Sequence, residues 1–584
     1  MDFKSYKYDL VLLHAPSVYD FRKTSIMYGP ISDVVPSSSV FEMYPIGFAT
    51  ISRYLKNKGF RVRILNLAVK MLLNPEFDPE KFLKKINARA FGIDLHWLCH
   101  AHGSVEVAKL VKKLHPDSAV IFGGISATYF NKELMEYPFI DYCIRGDSTE
   151  LLLEQLLIAL KNGTALDKIE NLCWKNDQGE VIYNPFTFIP DSLDGIYVDY
   201  KNIFLSAIKD LDFSGYLPFA SWVDYPVTAL VMSRGCNYRC NVCGGSNQFY
   251  QNHCSRKKTV YRSPEDIGKE IKILSRFING PLLLIGDVFL NGKKYSSDLF
   301  DEFERLNVSN QIIFELSAPP ARDELEHMAK AIPSFNLILS PESHDERVRS
   351  LFGRNFTNKQ TEEMIETSIK LGVGRIDLFF MIGLPEQTRQ SVRDTIKYCD
   401  YILGKYAYSK KVAVYIAPMA PFLDPGSTVF EDPEKYGYKL FYKTLEQHRM
   451  ALLQPSWKYI LNYETKWMTR DDIVESSYEA AIELNRVKMA HGIIEQKKAI
   501  SQEKRIIQAR DLCRYIDKIL ENKNESVRND LLKDLKQNMD IFSVSTICNM
   551  KDLEWAVMFF GIKAPKFVRR IFFFFWSLID KMMG

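Results

Sequence analysis

The sequence has no large excess of charge of either sign. Its 76 Lys and Arg residues nearly balance its 72 Asp and Glu residues, and the formal net charge of the 584-residue chain is only +4. It also has no stripe of basic side chains with interleaved aromatics, so no nucleic-acid partner is expected. A composition with 46% hydrophobic and 25% charged residues is that of a folded globular protein, which argues against a disordered chain or a polytopic membrane protein.

Neither a secretory leader nor a disulfide framework is expected from this sequence. Its polar start, MDFKSYKYDL, leads straight into a predicted strand and does not resemble a signal peptide. Of its ten cysteines, three are tightly clustered and seven are scattered. This usage predicts a reducing, cytoplasmic location and a metal site.

The length predicts several domains, because one hydrophobic core does not grow to this size. Residues 1–165 alternate short apolar runs with helical periodicity, which predicts an α/β, Rossmann-like domain with a parallel sheet. Ligands of such sheets bind beyond the carboxyl ends of the strands. Residues 166–225, rich in Pro, Gly and Asp, are expected to form a connector with a small hairpin.

A second alternating series follows at residues 226–435. Its six predicted strands, separated by helical segments, favour a partial (β/α)6 barrel of the TIM type, whose chemistry lies at the carboxyl ends of the strands. Residues 436–540 are expected to form a helical C-terminal domain.

The tail at 541–584 differs from the rest of the chain. Its apolar run, Ile571–Ile579, is less than half of the roughly 20 residues that span a bilayer. Arg569 and Arg570 on one side and Lys581 on the other favour an amphipathic helix on a membrane surface. A terminal helix docked on the core or on a second subunit is an equal alternative.

The strongest motif is the run CNYRCNVC, with Cys236, Cys240 and Cys243. Three thiolates on a loop after a strand can bind three irons of a [4Fe–4S] cluster and leave the fourth iron open to a substrate. The alternative is a structural zinc site with Cys254 as fourth ligand, although such sites usually contain two C-x2-C pairs. The remaining cysteines are expected to be small buried hydrophobes, and they are Cys99, Cys143, Cys173, Cys399, Cys513 and Cys548.

Over roughly residues 226–450 the sequence resembles the radical S-adenosylmethionine (SAM) superfamily. This resemblance implies that the open iron chelates SAM, whose reductive cleavage gives a 5′-deoxyadenosyl radical that abstracts hydrogen. Val242 departs from the aromatic residue usual before the third cysteine. Gly286 and Asp287 lie where the family keeps a Gly-Gly-Glu type turn for the SAM ammonium group, with Asp in place of Glu.

Further SAM contacts are implied by the resemblance on the later strands. Glu342 and Ser343, in SPESHDERVRSLFGRNFT, would face the SAM ribose or carboxylate, and Arg354 would pair with an anionic group. In FFMIGLPEQT, the turn Gly383, Leu384 and Pro385 would back the adenine. The loop PMAPFLDPGSTVFEDPEKYGY resembles that of members with an N-terminal cobalamin domain.

The first 160 residues resemble the B12-binding domain of that class. Gly123 and Gly124, in VIFGGISAT, would let the backbone approach the cobalamin tail. The pair Asp94 and His96 matches Asp-x-His, but in other B12 domains this motif follows the first strand and here it follows the third. His96 is therefore not assigned as a cobalt ligand; it is expected to line a cavity between domains or to be a core histidine, and the role of His100 stays open.

The domain order and the helical tail are similar to those of archaeal ring synthases, which form cyclopentane rings in tetraether (GDGT) membrane lipids. That resemblance implies hydrogen abstraction from an unactivated carbon of a lipid or other apolar substrate. It also implies an electron donor such as ferredoxin or flavodoxin and a place on the cytoplasmic face of the membrane. The alternatives are a cobalamin-dependent radical SAM C-methyltransferase and a non-catalytic sensor.

Overall fold

A computed structural model gives the three-dimensional structure of the chain. It describes residues 5–24, 43–220, 222–223, 226–419, 422–538, 558–559 and 562–563. The expected interfacial helix, with Ile571–Ile579, Arg569, Arg570 and Lys581, lies outside the described residues, as does Cys548. Within the described ranges, no helix is both long and apolar enough to cross a bilayer.

The N-terminal region contains a sheet with the strand order β2-β1-β3-β4-β5-β6-β7. Its strands are β1 Tyr8–His14, β2 Val62–Asn66, β3 Ala88–Asp94, β4 Ala119–Gly123, β5 Tyr142–Ile144, β6 Leu172–Lys175 and β7 Val181–Tyr183. Its helices are α1 Ile46–Asn57, α2 Leu67–Leu73, α3 Pro79–Lys84, α4 Ala101–Leu114, α5 Ile125–Tyr129, α6 Asn131–Glu136, α7 Glu150–Asn162 and α8 Tyr200–Lys209.

Strands β1 to β5 are parallel, whereas β6 and β7 are antiparallel. The central strands β1 and β3 are buried along nearly their whole length, as expected when helices cover both faces of a parallel sheet. The hairpin expected in the connector is β6 and β7, so the N-terminal sheet continues past residue 165. It does so because β6 pairs with β5 through Cys173 and Cys143.

The second sheet has the order β16-β15-β14-β13-β12-β8, with all neighbours parallel. The strands of this region are β8 Thr228–Val231, β9 Ser233–Arg234, β10 Val260–Tyr261, β11 Ile278–Asn279, β12 Leu282–Ile285, β13 Ile312–Leu316, β14 Phe335–Glu342, β15 Arg375–Ile382 and β16 Val412–Pro418. Its helices are α9 Asn247–His253, α10 Pro264–Ser275, α11 Lys293–Leu306, α12 Arg322–Ala331, α13 Glu346–Phe352, α14 Asn358–Lys370, α15 Arg389–Lys405 and α16 Thr428–Glu431.

Local signals explain why the helices of this barrel begin where they do. The Ser263 side chain accepts from Asp266 N, with Pro264 in the first turn, and Thr357 forms a capping box with Gln360. Along β15, buried and half-buried residues alternate, because one face of each barrel strand meets the helices and the other meets the interior. The predicted α/β class, with a Rossmann-like domain and a partial barrel, is confirmed.

The C-terminal region is mainly helical. Its elements are β17 Tyr438–Leu440, α17 Leu445–Ala451, α18 Trp457–Ile460, β18 Tyr463–Thr465, α19 Arg470–Ala490, α20 Gln496–Leu520, α21 Glu525–Asn538, β19 Met558–Phe559 and β20 Ile562–Lys563. The hairpin of β17 and β18 lies against the end of β15, since Tyr438 Oη donates to the carbonyl oxygen of Gly383 at 2.9 Å.

Candidate active site

The three clustered cysteines lie on the loop between β9 and α9, at the carboxyl end of the first barrel strand. Backbone amides point at two of the sulfurs: Tyr238 N lies 3.3 Å from Cys236 Sγ, and Gly245 N lies 3.3 Å from Cys243 Sγ. Burial raises the pKa of all three thiols, that of Cys240 to about 11. The thiolate form at neutral pH therefore requires a bound metal, and the donors fit an iron–sulfur cluster.

The spacing of these thiols does not suit a single zinc ion. At least one pair of the three sulfurs is more than 4.8 Å apart, since among the described residues only His14, Asp94 and His96 bring three candidate ligand atoms within that distance. Tetrahedral zinc with Zn–S bonds of about 2.3 Å would hold its sulfurs roughly 3.8 Å apart.

Cys254, the proposed fourth zinc ligand, is 2% exposed. Besides burial, the groups that shift its pKa are Asp147 and Arg256 rather than the other three thiols. The scattered cysteines that the structure describes, namely Cys99, Cys143, Cys173, Cys399 and Cys513, are buried.

Arg354 and Glu342 meet beside the cysteine loop. The Arg354 guanidinium lies 4.9 Å from the Tyr238 ring centroid and 3.9 Å from Glu342 Oε1, and it donates to Ser317 O at 2.8 Å. Glu342 is 2% exposed, and its Oε2 has no hydrogen-bond partner. Burial raises the pKa of Glu342 to about 8, although Arg354 opposes this rise.

A glycine allows this arrangement. Gly353, the residue before Arg354, has φ of +114°, and a Cβ atom there would lie 3.0 Å from the Cα of Cys240. The backbone after α13 therefore packs directly against the cysteine loop.

Ser343 takes part in a backbone turn in this structure. It is fully buried, and its hydroxyl accepts from Asp345 N at 3.1 Å. Its carbonyl oxygen accepts from the buried guanidinium of Arg349. The sequence motif points to Arg354 but not to Arg349, whose buried guanidinium holds the turn after β14 from inside the protein.

Gly286 and Asp287 follow β12 at the same end of the barrel. Gly286 has φ of +116°, and a Cβ atom there would meet Ser233 Oγ at 2.5 Å. Both Asp287 oxygens accept backbone hydrogen bonds, from Phe289 N at 3.0 Å and from Ser317 N at 2.6 Å. Through these two bonds the carboxyl ties the end of β12 to the end of β13. Burial raises the pKa of Asp287 to about 6 despite the bonds.

The turn of Gly383, Leu384 and Pro385 follows β15. Gln387 Oε1 accepts from the backbone N of Gly383 at 2.7 Å and of Leu384 at 3.2 Å. Gly383 has φ of +100°, and a Cβ atom there would lie 2.3 Å from Tyr463 Oη. The turn is therefore fixed from behind by the β17 and β18 hairpin.

A cavity of about 310 Å³ lies between the N-terminal sheet and the barrel. The sheet contributes the carboxyl ends of β1, β3 and β4, including Asp94, His96, Gly123 and Gly124, and the barrel contributes residues that include Ser233, Arg234, Tyr250 and Ile285. Glycines and aliphatic side chains make up much of its wall, so a ligand there can approach the backbone closely and contact a mainly apolar surface.

The two glycines that were predicted to approach cobalamin have different surroundings. A Cβ atom on Gly123 would meet only Ile144 O, at 3.9 Å, so this position leaves room in the cavity. Gly124 has φ of +117°, and a Cβ atom there would lie 2.7 Å from His96 Cα. Gly124 therefore packs closely onto the loop after β3, and it lines the cavity together with Gly123.

Two acidic residues near the site were not identified from the sequence. Asp424 Oδ2 accepts from Gly244 N at 2.9 Å, and burial raises the pKa of Asp424 to about 6. Glu315 has the only accessible side chain on β13; the surrounding protein nevertheless raises its pKa by desolvation, and nearby Arg354 opposes this rise. The sequence signals were the D-P-G turn of the sixth-strand loop and a single acid within the apolar run IIFELSA.

Comparison with protein families agrees with this division of the chain. Residues 33–156 match the model of the B12 binding domain, and residues 230–399 match that of the radical SAM superfamily. The first range contains Asp94, His96, Gly123 and Gly124, and the second contains the three clustered cysteines.

Among curated proteins, the chain is similar to an uncharacterized methyltransferase of Pyrococcus horikoshii, with 25% identity over 370 residues that cover 62% of this chain and 74% of that protein. It is also similar to cytidylyl-2-hydroxyethylphosphonate methyltransferase of Streptomyces wedmorensis, with 21% identity over 457 residues, 70% of this chain and 84% of that protein.

Among solved structures, the fold is similar to the radical SAM methyltransferase TsrM of Kitasatospora setae with cobalamin and a [4Fe–4S] cluster bound. The TM-score is 0.55 at 13% identity, covering 86% of this chain and all of that one. The cobalamin-dependent radical SAM enzyme OxsB gives a TM-score of 0.53 at 13% identity, covering 98% of this chain and 79% of that one. The chain is therefore a radical SAM enzyme with an N-terminal B12-binding domain, whose cofactors are a [4Fe–4S] cluster, SAM and cobalamin.

Proposed function

We propose that this protein is a cobalamin-dependent radical SAM methyltransferase. The observation that carries the proposal is the cavity shared by the two cofactor domains. Its barrel wall includes Ser233 and Arg234, just before Cys236, and Ile285, just before Gly286. A group held in this cavity is thus next to the loops that hold the cluster and SAM, as transfer of a methyl group between them requires.

When bound, the cluster supplies the electron that cleaves SAM, and cobalamin supplies a carrier for the methyl group. The roles of this chain's residues are to hold and orient these groups. Cys236, Cys240 and Cys243 bind the cluster, and the positive charge of Arg354 favours the thiolate form of Cys236 and Cys240. Glycines at tight turns bring the surrounding backbone close to this loop.

The remaining SAM contacts are proposed for the carboxyl ends of the barrel strands. Asp287 presents a buried carboxyl beside the cysteine loop, and Glu342 has an oxygen without a partner there. A buried carboxyl with a raised pKa loses its proton when a cationic group binds against it, so both residues suit the ammonium or sulfonium of SAM. The turn of Gly383, Leu384 and Pro385 is proposed as a further SAM contact, and Ser343 is proposed to shape the end of β14 beside Glu342.

The relatives support methyl transfer more than ring formation. Two curated relatives are described as methyltransferases. The prediction of cyclopentane ring formation depends on the order of the domains and on a C-terminal tail that lies outside the described residues. GDGT ring synthesis, a lipid or apolar substrate, the ferredoxin or flavodoxin donor and membrane attachment stay predictions.

The products of SAM decide between the two reactions. Methylation through cobalamin uses one SAM as methyl donor and one as radical source, so it releases S-adenosylhomocysteine and 5′-deoxyadenosine together. Cyclisation releases 5′-deoxyadenosine without S-adenosylhomocysteine and gives a product two hydrogens lighter. Reconstituted, reduced enzyme should be incubated with CD3-labelled SAM, with and without cobalamin, and its products analysed by mass spectrometry.

We expect S-adenosylhomocysteine to form only when cobalamin is loaded, and a labelled methyl group to appear on substrate from a cell extract. Cobalamin-loaded enzyme that makes 5′-deoxyadenosine but no S-adenosylhomocysteine would contradict methyl transfer. Tetraether lipid added to the same assay tests the ring reaction directly.

A further inference from the structure

Imidazole and carboxylate groups cluster at the switch point of the N-terminal sheet. His14 ends β1 and Asp94 ends β3, the two adjacent strands from which the strand order runs in opposite directions. One Asp94 oxygen lies 3.0 Å from His14 Nδ1, and the other lies 2.6 Å from His96 Nδ1. His100 packs beside them, with its ring centroid 4.6 Å from that of His14 and 5.1 Å from that of His96.

This hydrogen bonding selects the form of the His96 ring. A carboxylate can only accept hydrogen bonds, so the Nδ1 atom that faces Asp94 is the nitrogen that carries a proton. In the neutral ring, Nε2 then holds a free lone pair, which is the form in which histidine binds metals. A carboxylate on the far nitrogen is also the usual support of a metal-bound histidine.

Only one ring of the cluster reaches the cavity. His14 and His100 are fully buried, whereas the His96 side chain is 29% exposed and lines the cavity between the domains. Since its Nδ1 edge faces the buried Asp94, the exposed part of the ring is the opposite edge, which includes Nε2.

The backbone of His96 is held as firmly as its ring. Gly124 packs against it so closely that a Cβ atom would lie 2.7 Å from both His96 N and His96 Cα. Leu95 N donates to Gly123 O at 2.9 Å, and Ala127 N donates to Leu95 O at 3.0 Å. The loop after β3 is therefore fixed to the end of β4.

We infer that His96 supplies, through Nε2, an axial nitrogen ligand to the cobalt of the corrinoid in this cavity, and that Asp94 and His14 position its ring. The ligand comes from the loop after the third strand rather than from the loop after the first. The inference concerns cofactor binding and holds whether the enzyme methylates or cyclises its substrate.

The test uses the full-length protein loaded with cob(II)inamide, a corrinoid without a nucleotide base, so that any axial nitrogen must come from the protein. Low-spin Co(II) places its unpaired electron along the axial direction, and one axial 14N splits each cobalt line of the electron paramagnetic resonance spectrum into three. We expect this three-line pattern in the wild type and two lines after 15N-histidine labelling.

Variants identify the histidine. H96A should lose the nitrogen splitting, and added imidazole should restore it, whereas H253A should keep it because His253 lies outside the cavity lining even though its Nε2 also has no partner. If H96A does not retain the corrinoid, H96C provides a second test. A cysteine sulfur can bind the cobalt in place of the histidine, and the spectrum should then show no nitrogen splitting. A wild-type spectrum without nitrogen splitting, or splitting that persists in H96A or H96C, overturns the inference.

Discussion

Cys240 is the most enclosed of the cluster cysteines. It is 5% exposed, whereas Cys236 and Cys243 are partly accessible. Arg354, Tyr238 and the close backbone at Gly353 surround it. At this scale the site consists of buried groups that are costly to ionise unless a partner is present.

We expect C240A to abolish SAM cleavage, because a cluster that loses one of three thiolate ligands is not held with an open iron. The measurement is 5′-deoxyadenosine formation under strong reductant, together with iron and sulfide content. C254A is the matched control, since Cys254 is equally buried but is not a ligand in this reading. The cluster assignment is wrong if C240A cleaves SAM at the native rate. It is also wrong if C254A loses SAM cleavage while C240A keeps it.

Glu342 gives a pH-dependent prediction for the protein without its cofactors. Between the ordinary pKa of 4.5 and about 8, the folded protein keeps a proton that the unfolded chain has lost, so the free energy of unfolding falls as pH rises through this window. We expect E342Q, which is neutral at every pH, to remove roughly 1–3 kcal/mol of that fall.

The measurement is urea unfolding of wild type and E342Q at pH 5 and pH 8. E363Q provides a control at an exposed glutamate and should leave the pH dependence unchanged. Identical slopes for wild type and E342Q would contradict a raised pKa at Glu342.

At the scale of elements, the loops at the strand ends depend on glycines with positive φ. Gly124 and Gly292 have similar backbone angles, with φ and ψ of 117° and 172° for Gly124 and of 90° and 160° for Gly292. Their surroundings differ, because a Cβ atom on Gly124 would collide with the His96 backbone and one on Gly292 would meet nothing within 4 Å.

We therefore expect G292A to show the cost of the backbone conformation alone, about 1–3 kcal/mol, and G124A to exceed it. G124A should also weaken cobalamin binding, since the loop that carries His96 must shift. Urea unfolding and cobalamin titration measure the two effects. Equal destabilisation by both variants would show that the loop after β3 can move away from the added Cβ atom at no cost in stability.

At the scale of the whole molecule, buried ion pairs join the N-terminal domain to the barrel. Arg234 donates to Glu150 at 2.5 and 3.0 Å, and Thr50 Oγ1 donates to the same carboxylate at 3.0 Å. Arg256 makes a second bidentate pair with Asp147. Glu150, Arg234 and Asp147 line the cavity, so the contacts that dock the domains also shape the cofactor site.

We expect E150Q to destabilise the protein by about 3–5 kcal/mol, because it removes the bidentate carboxylate partner of the largely buried Arg234 guanidinium. Thermal unfolding measures the loss, and cobalamin retention should fall with it. E326Q, which breaks an exposed pair with Arg322, should cost less than about 1 kcal/mol. An unchanged melting temperature for E150Q would show that the domains do not depend on this pair.

Much of the fold could be predicted because its signals are local. The alternation of apolar runs and helical segments predicts both parallel sheets, and capping residues such as Ser263 and Thr357 mark helix starts. The continuation of the N-terminal sheet into β6 could not be predicted, because strand pairing between Cys143 and Cys173 depends on contacts between segments that are distant in the chain.

The active site also has a part that local sequence predicts and a part that depends on contacts between distant segments. The sequence by itself determined the cluster ligands, because Cys236, Cys240 and Cys243 lie within eight residues and a single loop brings them together. Only the tertiary structure decided what surrounds that loop and what Asp94 and His96 do. His14 and Asp94 are 80 residues apart, and they meet because β1 and β3 are neighbours at the switch point. The backbone collision that makes Gly124 necessary likewise arises only when two strand ends are packed together.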